Sequence, residues 1–232
     1  MEKTVNTEQA ETASGEAHDG AAGHFPLMIS LRDKDIVIVG GGEVAYHKAS
    51  LLRPYARSIT VLSEEFSEKF NNLDVKKIVA SGRDIKTLMG KPFLLICATD
   101  DHELNNDLMM HCRRNGILCN NVDVLESDVY FGSMIKSGPL TISISTNGMS
   151  PTMARFTRET LTEALDRSFW EMLGIQTELR SKLRHSIPEM RRRKEVLDSI
   201  VYDPDIWALL EGGKRKEAME LAVRKVNGGN ES

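Results

Sequence analysis

The run Gly40-Gly41-Gly42-Glu43-Val44-Ala45 constrains this chain more than any other stretch. It follows the short β-branched run Ile36-Val37-Ile38-Val39. Behind it Val44, Ala45, Ala49, Leu51 and Leu52 recur at near-helical spacing until Pro54. Strand, glycines and helix in this order fit G-x-G-x-x-[G/A]. Gly40 makes the tight turn, Gly42 lets the backbone approach a pyrophosphate, and the small Ala45 lets helix pack on strand. Gly41 lies between them, and the helix N-terminus offers amide donors to an anion. Ser58-Ile59-Thr60-Val61-Leu62 reads as a second strand and completes a βαβ unit. At its end, about 20 residues past the glycines, stand Ser63, Glu64 and Glu65, where an acid accepts hydrogen bonds from an adenosine ribose. A carboxylate there repels a 2′-phosphate, which favours NAD over NADP. Ser63 intervenes, so the group facing the ribose stays open, and the nearby Lys69 and Arg57 weaken the exclusion of NADP. The plain alternatives are a glycine-lined turn and a solvated helix start.

Beyond this unit, Val75–Ala80 and Phe93–Ala98 read as strands, Leu104–Asn115 as a helix and Ile117–Val122 as a fifth strand. The alternation implies an α/β fold with a Rossmann-like, doubly wound parallel sheet. It breaks at Val129–Ile135 and Leu140–Ser145, two apolar runs joined by Ser137-Gly138-Pro139, which read as a hairpin in a separate small element. The pattern is then helical over Met153–Leu165, Trp170–His185, Glu189–Val201, Trp207–Leu210 and Lys214–Val226, with Pro188, Pro204 and Gly212-Gly213 as breaks. Met1–His24 carries five acids against one lysine and a single Val, and reads as a disordered tail. The expected division is therefore a tail over 1–24, a dinucleotide-binding domain over 25–132, a small element over 133–165 and a C-terminal helical domain over 166–232.

Composition narrows the partners. Lys and Arg number 30 against 34 Asp and Glu in 232 residues, a net charge of −4 that lacks the basic footprint of a nucleic-acid binder. The apolar runs fall well short of the ~20 residues that cross a bilayer, and no basic-then-apolar order at the start suggests a secretory signal. Membrane and nucleic acid are thus not expected partners. Cys97, Cys112 and Cys119 form an odd set without C-x-x-C spacing, which fits a reducing cytoplasm. His47, His102, His111 and His185 show neither i, i+4 pairing nor H-E-x-x-H, so no stable metal site is expected.

Several motifs resemble one family, in family order from about residue 25 to about residue 165. They are Phe25-Pro26-Leu27, Val37 through Ala45 with Lys48-Ala49, Ala98-Thr99-Asp100-Asp101, Cys119-Asn120-Asn121-Val122-Asp123, and Ser145-Thr146-Asn147-Gly148-Met149-Ser150-Pro151 with Ala154-Arg155. The chain resembles the precorrin-2 dehydrogenases, which are also the N-terminal module of sirohaem synthases. The resemblance implies NAD-dependent oxidation of precorrin-2 to sirohydrochlorin, with ferrous iron insertion in some members. It implies a homodimer in which the element over 133–165 contributes to the subunit contact. It also places dinucleotide contacts at Glu43, Val44, Glu64 and Glu65, with Thr99 in the motif beside them. Tyr130-Phe131-Gly132-Ser133 departs from the family, where a proline often follows the Phe, and Thr146 stands where some sirohaem synthases have serine.

Removing two hydrogens from a tetrapyrrole takes a hydride acceptor and a base. Asp123 follows the fifth predicted strand, and open α/β sheets bind ligands outside the carboxyl ends of their strands. The proposed catalytic aspartate of the family matches this position; an Asp after a strand is otherwise a turn or cap residue. Asp100 and Asp101 read as caps of the helix near His102. The substrate is a polycarboxylate, so Thr146, Asn147, Ser150 and Arg155 are candidate contacts, with Ser150 as N-cap and Pro151 at the first helical position. An ordinary capped helix is the alternative. Two further functions stay open beside the enzyme: a dinucleotide-sensing module that turns nothing over, and a sirohydrochlorin chelatase without redox activity.

Overall fold

The computed structural model describes residues 24–81, 84–88 and 90–228. Of the tail expected over Met1–His24, only His24 falls among them. Its ring meets Tyr130 edge-on, with centroids 4.3 Å apart, and its Nε2 lies 2.8 Å from the Ser127 carbonyl oxygen. His24 thus makes defined contacts although it was expected in the tail, and the rest of the tail lies outside the described residues. The chain divides into two compact units, one running to Phe131 and taking in Asn147–Met149, the other holding Gly132–Thr146 and the chain from Ser150 onward.

The first unit runs β1 (Asp35–Val39), α1 (Glu43–Leu52), β2 (Ser58–Ser63), a 3-10 turn (Glu68–Asn72), β3 (Lys76–Val79), α2 (Ile85–Leu88), β4 (Leu94–Cys97), α3 (His102–Asn115) and β5 (Leu118–Asn121). All four strand pairings are parallel, in the order β3-β2-β1-β4-β5. Central strands of such a sheet bury both faces, which explains the unbroken apolar runs. In β1, Ile36 and Ile38 join Ala45, Ala49 and Phe70 on one face, while Val37 and Val39 join Leu108 and Cys112 on the other. Alternate residues thus feed two cores, one under α1 and one under α3. Each large apolar side chain sealed there contributes roughly 1.5–3 kcal/mol. The strand order reverses beside β1, and such a switch point opens a ligand crevice at the carboxyl ends of the strands. Cys97, Cys112 and Cys119 are free and buried.

The apolar run Val129–Ile135 is not one strand. The amides of Asp128 and Val129 donate to the Cys119 carbonyl at 3.0 and 3.2 Å, and Val129 and Phe131 pack into the α1-side core of the first unit. Only after Gly132 does β6 (Ser133–Ser137) begin, antiparallel to β7 (Leu140–Ile144). A Cβ on Gly132 would meet the Ile144 carbonyl oxygen at 2.7 Å, so the entry to the hairpin needs glycine.

The second unit continues with α4 (Pro151–Ala164), α5 (Arg167–Ser186), α6 (Met190–Val201), α7 (Pro204–Glu211) and α8 (Arg215–Gly228). Met172, Ile175, Leu179 and Leu183 form the helical stripe of α5 and bury against Ile200, Ile206, Leu210, Ala218 and Ala222. α4, α5 and α7 start earlier than apolar periodicity suggests. Their caps are Ser150, Asp166 and Asp203, polar residues that stand ahead of the first buried apolar side chains Ala154, Met172 and Ile206. Trp207 anchors this core, its Nε1 donating to the Val201 carbonyl at 2.7 Å.

Candidate active site

The three glycines differ in what holds them. Gly40 has φ +122°, and a Cβ there would lie 2.1 Å from the Ala98 carbonyl oxygen. A Cβ on Gly41 would lie 1.9 Å from the Glu65 carbonyl oxygen and 2.8 Å from Ser63 Oγ. A Cβ on Gly42 would meet nothing within 4 Å. The first two are therefore required by the protein's own packing, whereas the third faces open space. Gly42 also caps α1 without any side-chain hydrogen bond, so the amides of Glu43 and Val44 lie at an open helix start. Ala45 is buried against the sheet below. This cradle fits a pyrophosphate, which accepts hydrogen bonds from such amides and takes the space a side chain at residue 42 would fill.

The Glu43 carboxylate is held sideways by Lys69, with Nζ 2.6 Å away, and that hydrogen bond keeps its pKa below the usual glutamate value. Lys69 is thereby engaged. Arg57 precedes β2 at the amino end of the strand, 4.0 Å from Asp35, and so stands at the opposite sheet edge from the acids. Glu64, past the carboxyl end of β2, lines a cleft of about 670 Å³ with Ser81, Asp101, Glu103, Leu104, Asn106 and Asp107. Acids dominate that lining, which suits ribose hydroxyls and repels a further phosphate. Glu65 is exposed, and its carbonyl, rather than its carboxylate, packs on the glycine loop.

Thr99, Asn105, His102 and Asp123 form one network at the carboxyl ends of β4 and β5. Asn105 is fully buried. Its Oδ1 accepts from the Thr99 hydroxyl at 2.8 Å and amide at 3.3 Å, and its Nδ2 donates to the Thr99 carbonyl at 2.9 Å and to Asp123 Oδ2 at 2.7 Å. His102 Nδ1 lies 2.9 Å from the same Oδ2. Burial raises the Asp123 pKa, but the hydrogen bonds from Asn105 and His102 outweigh it and hold the carboxyl below its ordinary value. The hydrogen bond to Asp123 and its charge lift the His102 pKa. Asp101 caps α3, its Oδ1 accepting from the Leu104 amide at 2.9 Å.

Sequence spacing missed His102 and Asn105. The available signal was topological: β4 and β5 are parallel neighbours, so the start of α3 after β4 and the residue after β5 share one edge. In the second unit, the hydroxyls of Thr146 and Ser150 serve the chain itself, accepting from the amides of Ser150 at 3.0 Å and Met153 at 3.3 Å. Arg155 is exposed on the first turns of α4. Asn147, in the first unit, has φ +51°.

A parallel sheet in this order with an open glycine cradle defines a dinucleotide-binding domain of the Rossmann type. Residues 27–133 match the family described as "Putative NAD(P)-binding", and residues 137–164 match the "Sirohaem biosynthesis protein central" family. The precorrin-2 dehydrogenase of Methanosarcina barkeri is 37% identical over 192 residues, covering 79% of this chain and 85% of that protein. The siroheme synthase of a Psychrobacter species is 29% identical over 87% of this chain. This chain spans only 42% of that longer protein. The chain belongs to the precorrin-2 dehydrogenase family. Its fold matches the solved structure of SirC, precorrin-2 dehydrogenase, with a TM-score of 0.71 at 21% identity, over 87% of this chain and all of that one. Among the described residues, no helix is long and apolar enough to cross a membrane.

Proposed function

We propose that this chain oxidises precorrin-2 to sirohydrochlorin with NAD as the hydride acceptor. The observation that carries this reading is the continuity of cradle and acid: Gly40 packs on the Ala98 carbonyl, Thr99 follows, and Asn105 joins Thr99 to Asp123. Bound NAD would supply a two-electron acceptor, and the Asp123–His102 pair at the carboxyl ends of β4 and β5 would supply proton removal. The chain's own residues do the rest. Gly42 and the α1 amides would receive the pyrophosphate, Glu64 would take ribose hydroxyls, and Asp123 would belong to the group that removes the substrate proton. Arg155 and the Thr146–Ser150 turn are the proposed contacts for substrate carboxylates. Met153 and Phe156, about half exposed on α4 at 51% and 59%, support a contact with a second copy through the element over 133–165. The proposed setting is the cytoplasm, in keeping with the three free thiols.

The test is an anaerobic assay of purified protein with precorrin-2 and NAD, following NADH and the product spectrum together. Wild type is expected to turn over, and Asp123→Ala to lose turnover by at least roughly 10²-fold while retaining NAD affinity. Absence of NADH from wild type, where a known dehydrogenase works, refutes the reading. Light scattering during size-exclusion chromatography checks the dimer.

A further inference from the structure

We infer that the proton acceptor of this site is Nε2 of His102, and that Asp123 serves to orient and polarise that imidazole. The inference rests on the dehydrogenase reading above and deepens it.

Asp123 is poorly placed to act alone. Its Oδ2 already receives hydrogen bonds from Asn105 Nδ2 at 2.7 Å and from His102 Nδ1 at 2.9 Å, and its backbone amide is tied to Asn121 Oδ1 at 3.0 Å. Its side chain is only 21% exposed, against 76% for His102. With Nδ1 donating to the carboxylate, the neutral ring carries its lone pair on Nε2, the nitrogen that Asp123 does not engage. Base, orienting carboxylate and fixed tautomer are the relationship seen wherever an aspartate holds a catalytic histidine. Asn105, buried and fully bonded, fixes the carboxylate in turn. The charged groups acting on His102 are Asp123, Asp100 and Asp101, all acidic, and all stabilise its protonated form. An acceptor with a pKa above the ordinary imidazole value is a stronger base than a carboxylate held below its own.

The step balances. One C–H bond of the substrate breaks with its electron pair leaving as hydride to the oxidised dinucleotide. A second hydrogen leaves as a proton to His102 Nε2, and the pair it leaves behind forms the new double bond. The imidazolium then releases its proton to water at the exposed edge.

The experiment compares wild type, His102→Gln and Asp123→Asn by pH profile of kcat/KM, with NAD affinity and the His102 ring titration by NMR as readouts besides turnover. His102→Gln is expected to lose roughly 10²-fold in kcat/KM, to lose the rising limb at the imidazole pKa, and to bind NAD as wild type does. Asp123→Asn is expected to lower the His102 pKa toward its ordinary value. A His102→Gln protein with wild-type turnover, or one that is slower but keeps the limb, overturns the inference while leaving the dehydrogenase reading intact. A His102 titration unmoved by Asp123→Asn also overturns it. A wild type that makes no NADH refutes the dehydrogenase reading, and the acceptor role falls with it.

Discussion

Two helix starts in this molecule look alike in sequence and differ in what they leave available. α1 opens at Gly42 and α4 at Ser150, each after a glycine-bearing turn. At α4, the Ser150 hydroxyl accepts the Met153 amide and the Thr146 hydroxyl accepts the Ser150 amide, so the chain satisfies its own orphan donors. At α1 no side chain does so, and the space above Gly42 is empty of protein. A missing cap alone does not mark a binding site, since α6 also begins uncapped at Glu189. What distinguishes α1 is the missing cap together with a glycine that the fold does not itself require. The comparison teaches that the amides of a helix start are free for a ligand only where no side chain of the protein has taken them, so that a ligand at the start of α4 would have to be held by side chains such as Arg155 instead.

The sharpest break of this contrast comes from Gly41→Ala. Its methyl would sit 1.9 Å from a backbone oxygen, so the loop must move. Unfolding measurements should show a loss of about 1–3 kcal/mol, and calorimetry should show NAD binding abolished. Unchanged affinity would mean that the loop tolerates displacement and is no cradle. Next, Gly42→Ala should leave stability within about 0.5 kcal/mol of wild type yet weaken NAD roughly tenfold or more, because its methyl meets only the ligand. Retained affinity would place the pyrophosphate elsewhere. The smallest effect is expected from Ser150→Ala, about 1 kcal/mol of stability with no change in NAD affinity. A rise in KM for precorrin-2 without that destabilisation would show the hydroxyl serving substrate rather than helix.

The buried parallel strands were legible in sequence because burial on both faces leaves no polar alternation to confuse with a helix. The glycine loop was legible because strand, glycines and helix follow one another directly in the chain, although the backbone that Gly40 and Gly41 pack against comes from Ala98 and Glu65, far along the sequence. Val129–Phe131 misled for the converse reason: an apolar run shows that a segment is covered, not which sheet covers it. The starts of α5 and α7 came out late because periodicity registers buried residues, while Asp166 and Asp203 act through hydrogen bonds ahead of them; Ser150 followed by Pro151 was legible as a cap and first helical position. His102 and Asp123, separated by 21 positions, meet through the pairing of β4 with β5, a contact that no local spacing rule contains.

The contact between Gly41 and Glu65 limits how the cofactor preference of this protein can be re-engineered. The Gly41 carbonyl also accepts from the Ser67 amide at 2.8 Å, so the glycine turn and the loop after β2 are fastened at two points. Side chains at residues 64 and 65 can be exchanged without moving that fastening. An inserted residue between Ser63 and Ser67 cannot, since it would drag the pyrophosphate cradle with it. A conversion toward NADP therefore has to be made by charge reversal at constant loop length; a grafted, longer phosphate-binding loop would forfeit both cofactors at once.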